Sequence, residues 1–181
     1  MFKRHAGLIA ALAVHGASPA VAAENVLDEL RFGASTSVQN RDAREQALPE
    51  VTFFVDPFEK RTANDWKARL VRPRIHFGTS IGIDHQPTQI FSGFSWTFDL
   101  SERAFVEAGF GGVWHDGPLG KTANGPGLGC RLLFHEYAGI GYKLDTHWNV
   151  LAQVSHSSHA DLCDGPNGGM TRAGLQIGYK F

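Results

Sequence analysis

The chain has 181 residues, of which 43% are hydrophobic and 21 are glycine, enough for one domain with a sizeable core. Its formal charge is −1, and −3 without Lys3 and Arg4, which excludes the basic balance of a nucleic-acid binder. No run after residue 23 is apolar enough to cross a bilayer as a helix, so a soluble sandwich, a soluble barrel and a membrane β-barrel are the classes left open.

The chain begins with a basic Met1-Phe2-Lys3-Arg4-His5, continues through an apolar run from Ala6 to about Val14, and reaches small residues at Ala20-Val21-Ala22-Ala23. That order reads as a secretory signal over residues 1–23, cut near Ala22 or Ala23, leaving residues 24–181 as the folded domain. Leu27–Val38 becomes strand-like from Leu30, and residues 39–49 form a charged loop. Val51–Val55 is β-branched and aromatic, the second strand. A polar connection to about Leu70 leads to the third strand, Arg74–Ile83, with Pro73 at its entry, where proline is tolerated. The fourth strand spans Gln89–Leu100, the fifth Ala104–Val113, the sixth Cys130–Leu144, the seventh Trp148–His156 and the eighth Thr171–Phe181. No helix is expected. Gly109-x-Gly111-Gly112 is no nucleotide loop, because no helix follows it, and no cofactor is expected.

Eight strands make the smallest well-filled barrel. Short turns at 101–103 and 145–147 alternate with longer loops, as in outer-membrane barrels, although the second connection is also long. The eighth strand sets Ala173, Leu175, Ile177, Tyr179 and Phe181 on one face and Arg172, Gln176 and Lys180 on the other, suiting lipid and a polar lumen. A terminal Phe also resembles the signal read by outer-membrane insertion machinery. These features predict an all-β, eight-stranded antiparallel transmembrane barrel of the outer membrane. A soluble lipocalin-type barrel, apolar inside, is the alternative, and alternation by itself does not separate the two.

Chemistry concentrates where the seventh strand ends. Period-2 alternation puts Trp148, Val150, Ala152, Val154, His156 and, if the strand continues, Ser158 on one face. Residues two apart on a face lie about 6.5–7 Å apart at Cα, so a histidine acting as base on a serine is feasible. A lone His-x-Ser is a weak signal, and a polar rim at the membrane interface is the plainer account. Cys130 and Cys163, the only cysteines, would pair in an oxidising compartment. A zinc site from His156, His159 and Cys163 is the weaker alternative, and no metal is expected.

The sequence resembles the lipid A 3-O-deacylase (PagL) or acyloxyacyl hydrolase-like family. The residues that carry the resemblance are His156-Ser157-Ser158-His159-Ala160, Pro166-Asn167-Gly168-Gly169 and Met170-Thr171, with Arg72–Gly78, Phe105–Gly112, His115-Asp116-Gly117 and Gly129–Phe134 upstream. It implies an outer-membrane esterase acting on lipid A of lipopolysaccharide, with Ser158 as nucleophile and His156 as base, among outer-membrane lipids. Two positions depart from the family. His159 stands where the family has an asparagine that helps form the oxyanion hole, and Thr171 or Met170 stands at the triad acid. Asp161 or Asp164 could replace the acid, Thr171 could orient His156 by a neutral hydrogen bond, or the site could be inactive. The second functional expectation is therefore a non-catalytic barrel with a structural or interaction role.

Overall fold

The computed structural model describes residues 27–39, 46–58, 66–123 and 127–181; the expected signal segment lies outside them. Eight strands follow in chain order: β1 (Leu27–Ser37), β2 (Leu48–Val55), β3 (Arg74–Ser80), β4 (Gln89–Asp99), β5 (Ala104–His115), β6 (Leu132–Lys143), β7 (Trp148–Ser158) and β8 (Met170–Lys180). Each pairs antiparallel with its sequence neighbours, and β8 pairs with β1 to close the barrel. An 11-residue strand is about 36 Å long, which when tilted by roughly 45° spans the apolar band of a bilayer.

Two boundaries move by three residues against expectation, and others by one or two. β2 starts at Leu48, because Leu48 points inward, fully buried, and pairs with Ser35. β3 stops at Ser80, where Gly82 turns its N–H to the Thr88 hydroxyl (3.0 Å) and the chain enters a tight turn with positive φ at Asp84 and His85. One helix was not anticipated: α1 (Trp66–Leu70), a single five-residue turn between β2 and β3 that buries none of its side chains.

Alternation sorts the wall into two faces of opposite polarity. Phe32, Phe53, Phe77, Ile90, Phe94, Ile140, Val154 and Leu175 point outward and are exposed. Glu29, Arg31, Glu50, Arg74, His76, Gln89, Glu107, Arg172 and Gln176 point inward and are buried. A soluble barrel would reverse this, so the lipocalin-type alternative fails and the fold is a transmembrane barrel.

The interior is filled. Toward the short-turn end, Glu29 and Glu107 alternate with Arg31 and Arg74. Arg31 donates to Glu29 (2.7 and 3.0 Å) and to Glu107 (2.7 and 3.0 Å). Arg74 donates to Glu29 (2.6 Å) and to Glu107. Tyr137 and Thr97 donate hydroxyls to Glu107 at 2.9 and 2.8 Å, and Asn149 donates to Glu29 at 2.8 Å. Both guanidinium groups lie over the Phe54 ring at 4.3 Å. Beyond this ring of charges the short-turn end opens into a cavity of about 760 Å³ lined by Arg103, Lys143, His147 and Lys180 among others. Toward the long-loop end, Phe91, Val113, Leu128, Leu133 and Met170 form an apolar cluster on which Cys130 packs.

Candidate active site

The β7–β8 loop is built to hold a fixed shape. Cys130 and Cys163 form a disulfide across 33 residues, with 6.2 Å between Cα atoms, tying this loop to the one between β5 and β6. Gly168 donates to the Gly127 carbonyl at 3.0 Å, a second tie between the same loops. Asn167 accepts from the His159 N–H (3.3 Å) and donates to Asp161 (3.1 Å), closing the loop on itself.

At its base the strands set a row of side chains on the outer face. β7 continues through Ser158, so His156 and Ser158 both face outward. Register places Thr171 of β8 beside His156. The His156 Nδ1 and the Thr171 hydroxyl lie 2.8 Å apart, within hydrogen-bond distance. On the other side, register places Glu136 of β6 beside His156 and Phe110 of β5 beside Glu136. Ser158 lies beside Phe134. His156, Ser158, Glu136 and Thr171 are all half-buried.

Two further residues shape the corner: Gln39, which sequence reasoning missed, and Gly169, which it read only as part of a motif and gave no role. Gln39, just after β1, accepts from the Thr171 N–H (2.9 Å) and donates to the Gly168 carbonyl (3.2 Å). Gly169 has φ +64°, and a Cβ there would lie 3.0 Å from the His156 Cε1. No local motif announces Gln39, because its partners are about 130 residues away in the chain. Gly169→Ala is expected to cost about 1–2 kcal/mol from the left-handed backbone alone and to displace the imidazole edge. The check is its thermal midpoint beside that of the wild type.

The other expected site residues lie elsewhere. His159 is buried, with its Nε2 3.4 Å from the Pro166 carbonyl. Asp161 is engaged by Asn167, and Asp164 is exposed in the loop. Cys130, His159 and Cys163 hold ligand atoms within 4.8 Å of one another, without His156; with the sulfurs bonded to each other, neither is the thiolate that zinc requires.

A second serine–histidine pair lies on the opposite face of the wall. His135 Nδ1 and Ser157 Oγ are 2.9 Å apart and both residues are buried in the lumen, His135 stacked on Phe91. The neighbouring interior cavity beside His135 is only about 10 Å³, room for about one water and none for an acyl chain. The outward row is the one that meets lipid.

Comparison with known proteins follows the same lines. No curated protein matches the chain. Among solved structures, that of the outer membrane enzyme PagL superposes with a TM-score of 0.63 at 19% identity, covering 83% of this chain and 97% of that one. Neisserial surface protein A superposes at 0.51 and 10% identity, covering 86% of this chain and 96% of that one. The Yersinia pestis outer membrane protein Ail superposes at 0.50 and 13% identity, covering 86% of this chain and 99% of that one. These likenesses establish the outer-membrane barrel fold. The family model for lipid A 3-O-deacylase (PagL) matches residues 32–180, nearly all of the barrel, and the chain belongs to that family.

Proposed function

We propose that the protein is an esterase of the outer membrane that removes the 3-hydroxyacyl chain from the 3-position of lipid A. The observation that carries this reading is the outward row: a histidine with its Nδ1 against the Thr171 hydroxyl, and a serine two residues along the same strand, both facing lipid.

In this reading Nδ1–H donates to Thr171, which leaves the Nε2 lone pair free to act as base. Ser158 Oγ attacks the ester carbonyl while Nε2 takes its proton. The tetrahedral intermediate collapses, the ester C–O bond breaks, and the sugar oxygen leaves with the proton from His156. Water, deprotonated by the same nitrogen, then cleaves the acyl-serine. It releases the 3-hydroxy fatty acid and returns the proton to Ser158. The two side chains share the row without a hydrogen bond between them among the described residues; catalytic hydrogen bonds often close only when substrate is bound. Thr171 orients the ring as a neutral acceptor, a role that Asp161 and Asp164, placed in the loop, do not take.

The test is expression in an outer membrane with intact lipid A, followed by mass spectrometry of that lipid. The expected result is loss of one 3-hydroxyacyl chain, with Ser158→Ala leaving lipid A whole. Unchanged lipid A in the presence of correctly folded wild-type barrel overturns the reading in favour of a non-catalytic barrel.

A further inference from the structure

The row beside His156 contains a charge that the reaction above does not use. The outward positions of β6 are Leu132, Phe134, Glu136, Ala138, Ile140 and Tyr142, and Glu136 is the charged one. Among the described residues no hydrogen bond or ion pair engages its carboxylate. An unpaired acid in a lipid-facing row is costly, and such residues mark function by default. Its cross-strand neighbour on one side is Phe110, which offers it nothing polar; on the other side it is His156. Directly opposed Cβ atoms lie about 4.5–5.5 Å apart, so the two side chains leave the wall side by side, the carboxylate beyond ion-pair distance of the ring.

A triad acid does two things: it holds the imidazole in one tautomer and orientation, and it stabilises the imidazolium that forms in the transition state. Thr171 can do the first but carries no charge for the second. We propose that the two tasks are divided between strands, Thr171 of β8 orienting His156 and Glu136 of β6 acting as a positioning residue that stabilises its positive charge through space. The inference rests on the Ser158/His156 reading. His135 and Arg172, on the strands that flank His156, are both buried on the inner face of the wall and neither is anionic; Glu136 is the acid that the register sets beside the ring. A unit charge about 6 Å away, in an environment of intermediate dielectric, amounts to roughly a tenfold to hundredfold effect on rate.

The experiment uses the full barrel in micelles, with lipid A hydrolysis and fluorophosphonate labelling of Ser158 as separate readouts and heat-modifiable electrophoretic mobility as the check on folding. Glu136→Gln is expected to lower kcat and the labelling rate by about tenfold to a hundredfold with KM little changed. Glu136→Asp should retain most of the rate, and the double variant Glu136→Gln/Thr171→Glu should recover it, because the charge returns from the other side. Glu136→Met, an apolar residue suited to the row, should match Glu136→Gln and serves if that variant folds poorly. Wild-type kcat in both Glu136→Gln and Glu136→Met, while Ser158→Ala is inactive, overturns this inference and leaves the esterase reading standing. A change confined to KM, or no rescue by the added Thr171→Glu, overturns it as well. Absence of both hydrolysis and labelling in the wild type overturns the two together.

Discussion

Replacing His156 by alanine is expected to lower the rate of ester cleavage by at least about 10²-fold, and adding Ser158→Ala to it should lower the rate no further. The magnitude follows from what the site lacks. In a complete serine hydrolase triad, losing the serine or histidine alone costs about 10⁶ in kcat, and losing the acid alone costs about 10⁴. A site that holds its histidine through Thr171 has given up at most the whole of the second factor, so at least roughly 10² remains to be lost. A carboxylate that acts on the ring from Glu136 raises the starting rate, so the loss in His156→Ala then grows toward about 10⁴. The non-additivity follows because the two groups act in one proton transfer: with either absent, the other has no step to assist. Single-turnover cleavage of lipid A by the two single variants and the double variant checks both statements.

Glu107→Ala is expected to destabilise the barrel by about 3–5 kcal/mol. Glu107 accepts from Arg31, Arg74, Thr97 and Tyr137, and its side chain is fully buried. Two carboxylates and two guanidinium groups balance within the ring; without Glu107, Arg31 and Arg74 share Glu29, with Asp28 reaching Arg74 alone from the edge at 2.6 Å. The cost is that of a buried charge left without its partner, together with two hydroxyl donors left unmatched. Removing one acid and one base together, as in Glu107→Leu/Arg74→Met, should therefore be milder than Glu107→Ala, because the charge stays balanced and apolar volume replaces it. Denaturant midpoints of the heat-modifiable gel shift measure the order of the three proteins.

The strands were legible because a barrel wall imposes period 2 on every residue it contains. Leu175 and Ile177 against Arg172 and Gln176 already separate the two faces, and the structure assigns the apolar set to the outside. Parity along β7 carried further, placing His156 and Ser158 on one face before any strand pairing was known. Parity does not reveal which residue stands opposite which. Glu136 lies 20 positions before His156 and reads as one more polar residue in an alternating strand; only the register set by the turn after Lys143 puts the two side by side. Gln39 and the four-residue charge ring escaped for the same reason, since their partners come from strands far apart in the chain. β2 was read three residues short because the β-branched and aromatic run begins only at Val51, yet Leu48 and Pro49 already pair with Ser35 and Ala34. α1 escaped because one helical turn carries too few residues to show a period.

The ring of charges around Glu107 also decides how anything reaches the outward row. With the lumen closed there and filled by Phe91, Leu128 and Met170 above, nothing arrives at His156 through the barrel. A lipid substrate of the proposed reaction would therefore come sideways, by diffusion within the leaflet. The quantity that sets occupancy is thus a mole fraction in two dimensions, and dilution of the surrounding lipid acts as a competitive inhibitor would. Water for the second half of the reaction has to enter by a separate route, from the rim where the β7–β8 loop meets solvent. On the proposed reading the two reactants come from two phases, and the corner from His156 to Thr171 is where they would meet.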